Sequence, residues 1–458
     1  MRRLAALVVG VALLAAACER GGDAASPSGS ASASGSASAS ASASVRPTLD
    51  EAPGPGLPDA GPQALVRGDA AEAMGGLCVA PELLVDDRGE AHGAGPVPPA
   101  IVEVEDQVAE LRGLDWRRPV VADPIDDREM DRRIDEAFDG MFPADQYDRR
   151  TLAWRTIGAI GPGDDLREAL LAFGRGQVVG FYDPQDGELV YLADDGPLGL
   201  TEKAVLAHEL VHAIDDQHFD LRRIDTLASE CRDEELAAAL AVVEGSAQHF
   251  ATQVLLKYPA PVDQGLLDAL GDAAATEDVP AFVERLQLLP YTEGQRFVSS
   301  VAADEGVDAV DAALRDLPPT TEQILHPERW PGDRPTAVEL PDLGARLPGS
   351  WRDLDVMQVG ELWLRELLAL RLDEAAAAEA AAGWDGGVYR AWSSGGRVVV
   401  VLRTAWDAEA ELEAFATAVG GWIEGAGVTA EVIPVRRRLV DVVFTSDVAT
   451  LEAVIGPR

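Results

Sequence analysis

The chain has almost no lysine. Of its 38 basic residues only Lys203 and Lys257 are Lys, and 79 acidic residues leave a net charge of −41. That excess argues against a nucleic-acid binder, because a polyanion would be repelled rather than held through counterion release. It argues equally against electrostatic adhesion to anionic lipid. Three cysteines exclude a disulfide-dense small scaffold. Beyond the first residues no apolar run is long enough to span a bilayer. What is present is ordinary globular material. With 458 residues, 47% of them hydrophobic, there is room for two or three domains and a sizeable core.

The N-terminus reads as an export signal over residues 1–17. Arg2 and Arg3 precede an apolar stretch from Leu4 to Ala17, too short for a comfortable transmembrane helix. Leu14-Ala15-Ala16-Ala17-Cys18 resembles a bacterial lipobox, which implies lipidation at Cys18 and a chain anchored to the cell envelope, at the inner or the outer membrane. An ordinary signal peptide cut after Ala17 is the alternative. Gly21 to Ser44 is nearly all Gly, Ala and Ser, and Pro47, Pro53, Pro55, Pro58 and Pro62 follow. Residues 18–96 are therefore expected to be a lipidated N-terminus and an unstructured tether. Cys78 and Cys231 are a candidate disulfide in an exported chain.

From residue 97 the pattern is mainly helical. Two strands are expected around the turn Asp183-Pro184-Gln185-Asp186-Gly187, and long helices over Thr201–Asp215 and Arg232–Lys257. Pro318 to Gly349 reads as mostly irregular, and Gln358 to Ala382 as helical again. The last 75 residues or so read ββαββα. The expected fold class is α+β and mostly helical, with a main domain over 97–383 and a small module over 384–458.

The sharpest signal is His208-Glu209-Leu210-Val211-His212. On a helix, positions i and i+4 share a face, so the two imidazoles can hold one metal ion, zinc (Zn2+) by their chemistry. Glu209 then stands where it can take a proton from a water activated by that metal. The chain has six His in all, and four fall between 208 and 249. A hydrolytic zinc needs a third protein ligand and an open position. Glu244 is the preferred candidate. It stands at the border of an apolar helical face formed by Leu236, Leu240, Val243, Ala247 and Phe250, where an unpaired carboxylate is costly. His218 is the alternative, since His208, His212 and His218 have the ligand spacing of metzincin peptidases, although Asp215 replaces their Gly and no Met turn is in place.

His208 to Asp216, with Glu244 on the next helix, resembles the active helix of thermolysin-type gluzincins. The resemblance implies a role for Asp216 beside the metal ligands, orienting an imidazole. Gln248 stands where those enzymes have Asp. Gly180-Phe181-Tyr182-Asp183-Pro184, Asp216-Gln217-His218-Phe219, Glu244-Gly245-Ser246-Ala247 and Thr321 to Glu328 resemble a group of uncharacterised bacterial zinc peptidases, many of them lipoproteins. This resemblance spans roughly residues 100–400. It implies a zincin-like catalytic domain with an edge hairpin, at which an extended peptide would add as a strand.

Tyr291 and His326 are candidate donors to an oxyanion. A structural reading stands beside this one: Thr320 and Gln323 can form a capping box that leaves His326 at a helix C-terminus. The chain thus reads as an exported, membrane-tethered zinc metallopeptidase acting on a peptide or protein, with no nucleic-acid partner. The rivals are a non-catalytic envelope lipoprotein with a structural or vestigial metal site, and a metzincin-like peptidase using His218.

Overall fold

The computed structural model describes residues 65–78, 97–141, 145–177, 180–192, 198–262, 279–340, 342–344, 347 and 349–455. The expected export signal, Cys18 and most of the expected tether lie outside them. The chain is α+β and mostly helical. In order, the elements are β1 (Val66–Arg67), α1 (Asp69–Leu77), α2 (Pro99–Arg112), β2 (Val121–Ile125), α3 (Asp127–Met141), α4 (Gln146–Ile157), α5 (Leu166–Gln177), β3 (Gly180–Asp183), β4 (Glu188–Leu192), α6 (Leu200–Phe219), α7 (Arg223–Ser229) and α8 (Asp233–Lys257). Then come α9 (Ala281–Glu305), α10 (Val307–Arg315), α11 (Thr321–Leu325), β5 (Val338–Glu339), β6 (Arg352–Gln358), α12 (Glu361–Ala369), α13 (Glu374–Ala381), β7 (Trp384–Ser394), β8 (Arg397–Trp406), α14 (Glu409–Ala426), β9 (Thr429–Arg436), β10 (Leu439–Thr445) and α15 (Val448–Ile455).

The C-terminal sheet has five antiparallel strands in the order β6-β7-β8-β10-β9. Strands buried on both faces read as continuous apolar runs rather than as alternation. Val398 to Leu402 is such a run. Val400 and Leu402 face a core shared with α4, α5 and α12, and Val399 and Val401 face a second core with α1, β1 and β5. The sheet begins with β6 at Arg352, ahead of the expected boundary between residues 383 and 384. The strand β6 carries Asp355 in its buried half, where the carboxylate accepts from the Tyr389 hydroxyl and from Arg150 Nε. A buried polar residue interrupts the period-two pattern that would have marked the strand.

The tether is also shorter than expected. β1 pairs in parallel with β5, α1 buries Ala70 and Met74, and Cys78 is bonded to Cys231 just ahead of α8. Residues 65–78 therefore belong to the folded body.

Helices α6, α8 and α9 form the centre of the other half. α8 and α9 cross with backbone against backbone. A Cβ on Gly245 would lie 2.3 Å from the Gly294 carbonyl, and one on Gly294 would lie 1.9 Å from the Ala241 oxygen. Only glycine allows helices so close, and Tyr291, one turn before Gly294, lines a cavity together with Glu244. Pro290 lacks an N–H and so interrupts the ladder of α9 at that turn.

Gly294→Ala should destabilise the protein by about 2 kcal/mol or more through overpacking, lowering the unfolding midpoint by roughly 3 °C or more. Gly420→Ala in α14, where a Cβ meets nothing within 4 Å, should leave it unchanged or slightly raised. Thermal unfolding followed by circular dichroism measures both.

Candidate metal centre

The site is built on two buried helices. Helix α6 opens at Gly199, whose N–H is capped by Glu202, and runs unbroken to Phe219. His208 and His212 stand one turn apart on it, both buried, with ring centroids 4.7 Å apart. Glu244 comes from the middle of α8 and is buried as well. His208 Nε2 lies 3.1 Å from His212 Nε2 and 3.1 Å from Glu244 Oε2, and His212 Nε2 lies 3.4 Å from the same oxygen. Ligands about 2.0–2.1 Å from a tetrahedral ion lie roughly 3.3 Å from one another. The triangle has those edges, and two imidazoles with one carboxylate are a donor set that suits zinc. Among the described residues this is the one group of three such side chains whose ligand atoms converge.

Burial opposes the charge on Glu244, but the facing imidazoles of His212 and His208 outweigh it and hold the carboxyl down at about 2. Burial pulls His208 below its ordinary value, while His212, equally buried, is raised by Glu244. Glu209 is fully buried. Burial pushes its carboxyl up to about 8, against the pull of His212 and the Tyr182 N–H and with help from Glu244. Its Oε2 accepts the backbone N–H of Tyr182 at 2.8 Å, and its Oε1 has no hydrogen-bond partner.

That N–H places β3, and it corrects one expectation. β3 is the edge of the three-stranded sheet β2-β4-β3, as a peptide-binding strand would be. Its four residues are buried, however, and the Tyr182 N–H is committed to Glu209. The strand orients the carboxylate of Glu209 and is not open at Tyr182 to an added strand.

The end of α6 is a clamp. Asp216 accepts from the Tyr182 hydroxyl at 2.7 Å, from Arg118 Nη2 at 2.9 Å and from Leu221 N at 3.1 Å. Burial and the adjacent Asp216 hold the Tyr182 phenol well above its ordinary value, so it stays a donor. Gln217 accepts from the N–H groups of Arg117 and Arg118 and donates to the Arg118 carbonyl. His218 Nε2 lies 2.9 Å from the Asp115 carbonyl. The helix does not break at Asp215, as a metzincin's would. Asp215 instead accepts from Arg112 Nε and from the Ser246 hydroxyl, each at 2.7 Å. His218 therefore continues along α6 to the 115–118 segment and is outside the converging group.

Tyr291 is buried with its ring inclined by 29° to that of His208, centroids 6.1 Å apart. His326 ends α11, which Thr320 caps at its start, and its Nε2 lies 3.0 Å from Glu361 Oε1 at the head of α12. The structure thus gives it a bridge between two helices. Four supporting residues were not singled out from the sequence. Tyr182 and Ser246 sit inside motifs that resemblance had marked, and their N–H and hydroxyl are what those motifs supply. Arg112 and Arg118 carry no local signal, since their partners lie about a hundred residues away.

Residues 350–453 match a family described as a domain of unknown function (DUF8575). No curated protein and no solved structure matches the chain. The matched span begins with β6 and ends within α15, the same unit as the five-stranded sheet.

The purified chain should take up about one zinc. Glu244→Ala should lose at least half of it under dilute conditions, and His218→Ala should keep it. Elemental mass spectrometry after gel filtration reads the difference.

Proposed function

We propose that the chain is an exported, membrane-tethered zinc-dependent peptidase with a zincin-like catalytic domain. The observation that carries this reading is the buried triangle of His208, His212 and Glu244, with the Glu209 carboxylate beside it. The residues fit the ion in number, spacing and chemistry. Zinc held there supplies Lewis acidity and a nucleophile at neutral pH.

The remaining work falls to side chains of the chain itself. Glu209, fixed through one oxygen by the Tyr182 N–H, keeps its other oxygen without a partner. With its charge favoured by a cation held at the site, that oxygen would take a proton from the attacking water and return it to the leaving amine. Tyr291, whose ring lies 6.1 Å from that of His208, would donate its hydroxyl to the oxyanion that forms on the carbonyl. His326 pairs with Glu361 through its Nε2 and is given no step in this mechanism. Burial of the site keeps bulk water from competing with these hydrogen bonds.

Two further observations support the cellular part. The Cys78–Cys231 disulfide suits an oxidising compartment outside the cytoplasm. Among the described residues no helix is long and apolar enough to cross a membrane, so membrane attachment rests on the lipobox-like Cys18. A structural zinc would be closed by a fourth protein ligand, and His218, the candidate for that place, lies 2.9 Å from the Asp115 carbonyl instead.

The zinc-loaded chain should cleave members of an unbiased peptide library. Glu209→Gln should reduce turnover by at least 1,000-fold, on the order expected of a general base acting with its metal, while zinc content stays the same. Turnover equal to the parent's would refute the mechanism. Full zinc with no cleavage of any peptide by the parent would favour the non-catalytic lipoprotein.

A further inference from the structure

Next to the metal centre lies a cavity that the chemistry of bond cleavage does not use. Its volume is about 230 Å3. Water occupies about 30 Å3 in the liquid, so the space suits one large side chain. Glu244 and Tyr291 line it, which places one end at the candidate ligands. The C-terminal domain supplies part of its wall: Met357 of β6, and Leu362 and Trp363 of α12. Trp363 is wedged edge-on against Trp154 and Phe282, with centroids 6.3 and 5.4 Å away. A wall packed in this way keeps its shape when empty.

The charged groups around the cavity already have partners. Arg150 pairs with Asp233 and Asp355. Glu234 accepts both the N–H and the hydroxyl of Thr321. Glu244 is directed at the two imidazoles. An acidic side chain entering here would lose its water while Arg150 is already paired, and a basic one would find Glu234 already accepting two hydrogen bonds from Thr321, whereas an apolar one would gain by burial.

We propose that the C-terminal domain is part of the substrate-binding apparatus. Together with α8 and α9 it forms an apolar pocket that accepts a large uncharged side chain of the peptide, next to the bond presented at the metal centre. The inference rests on the peptidase reading and adds its substrate class. It gives the domain over 350–453 a role in specificity.

The test uses the full zinc-loaded chain carrying Glu209→Gln, so that bound peptides persist. Blocked tetrapeptides differing at one central residue (Phe, Leu, Ala, Asp or Lys) are titrated by calorimetry. Phe and Leu peptides should bind at least tenfold more tightly than the other three. Leu362→Trp, which fills the pocket, should cut the preference for Phe over Ala by at least tenfold. Leu362→Ala, which cannot overpack, should shift preference toward a naphthylalanine peptide. Circular dichroism and zinc content check that both variants are folded. Equal binding of Phe and Ala peptides, tighter binding of Asp or Lys peptides, no binding at all, or a preference untouched by both variants would overturn the proposal. Cleavage by the parent without side-chain preference defeats the pocket and leaves the peptidase standing. Selective binding without cleavage does the reverse.

Discussion

A carboxylate and two imidazoles buried side by side in an apolar helix pair cannot stay there uncompensated. Glu244 sits in a stretch of α8 where Val242, Val243, Gly245 and Ala247 are all buried. The carboxylate faces the two His of α6, and Glu209 lies one residue from His208. Four ionisable groups thus share one desolvated volume. A divalent cation at their centre would offset that desolvation, so the metal reading follows from burial as much as from the motif.

The surrounding structure holds these groups in register. Gly245 and Gly294 let α8 and α9 touch along their backbones, and Glu244 and Tyr291 line one cavity beside that contact. Arg112, fully buried between Phe219 and Phe250, joins Asp215 of α6 to Asp311 of α10. Ser246 ties α8 to the same Asp215. A buried ion network of this kind is weak evidence for stability. Its geometry fixes how α6 rotates against α8, and that rotation decides whether His208 and His212 face Glu244.

The local parts of this arrangement could be read from the residues. Helix periodicity placed His208 and His212 on one face, and the cost of a lone carboxylate on an apolar face pointed to Glu244. The resemblance marked Tyr182 and Ser246 without saying what they do, because a backbone N–H and a hydroxyl leave no pattern in a sequence. The long-range parts were not legible. Nothing near Arg112 announces a partner at 215 or 311. The edge hairpin was expected to take a peptide, yet packing against α6 turned its N–H toward Glu209. β6 was missed because Asp355 breaks its alternation, and β1 and α1 because their short apolar segment follows a run of proline and glycine. These misses share a cause: each element is stabilised by residues far away in sequence, so local pattern underestimates it.

The account turns on a metal centre that is open, with two nitrogens and one oxygen from the protein. X-ray absorption at the zinc edge on the loaded full-length chain tests this most directly. Two imidazole nitrogens and a carboxylate oxygen at about 2.0–2.2 Å, with a fourth light atom supplied by solvent, are the predicted result. A closed shell containing a third imidazole, or a sulfur ligand, would contradict it.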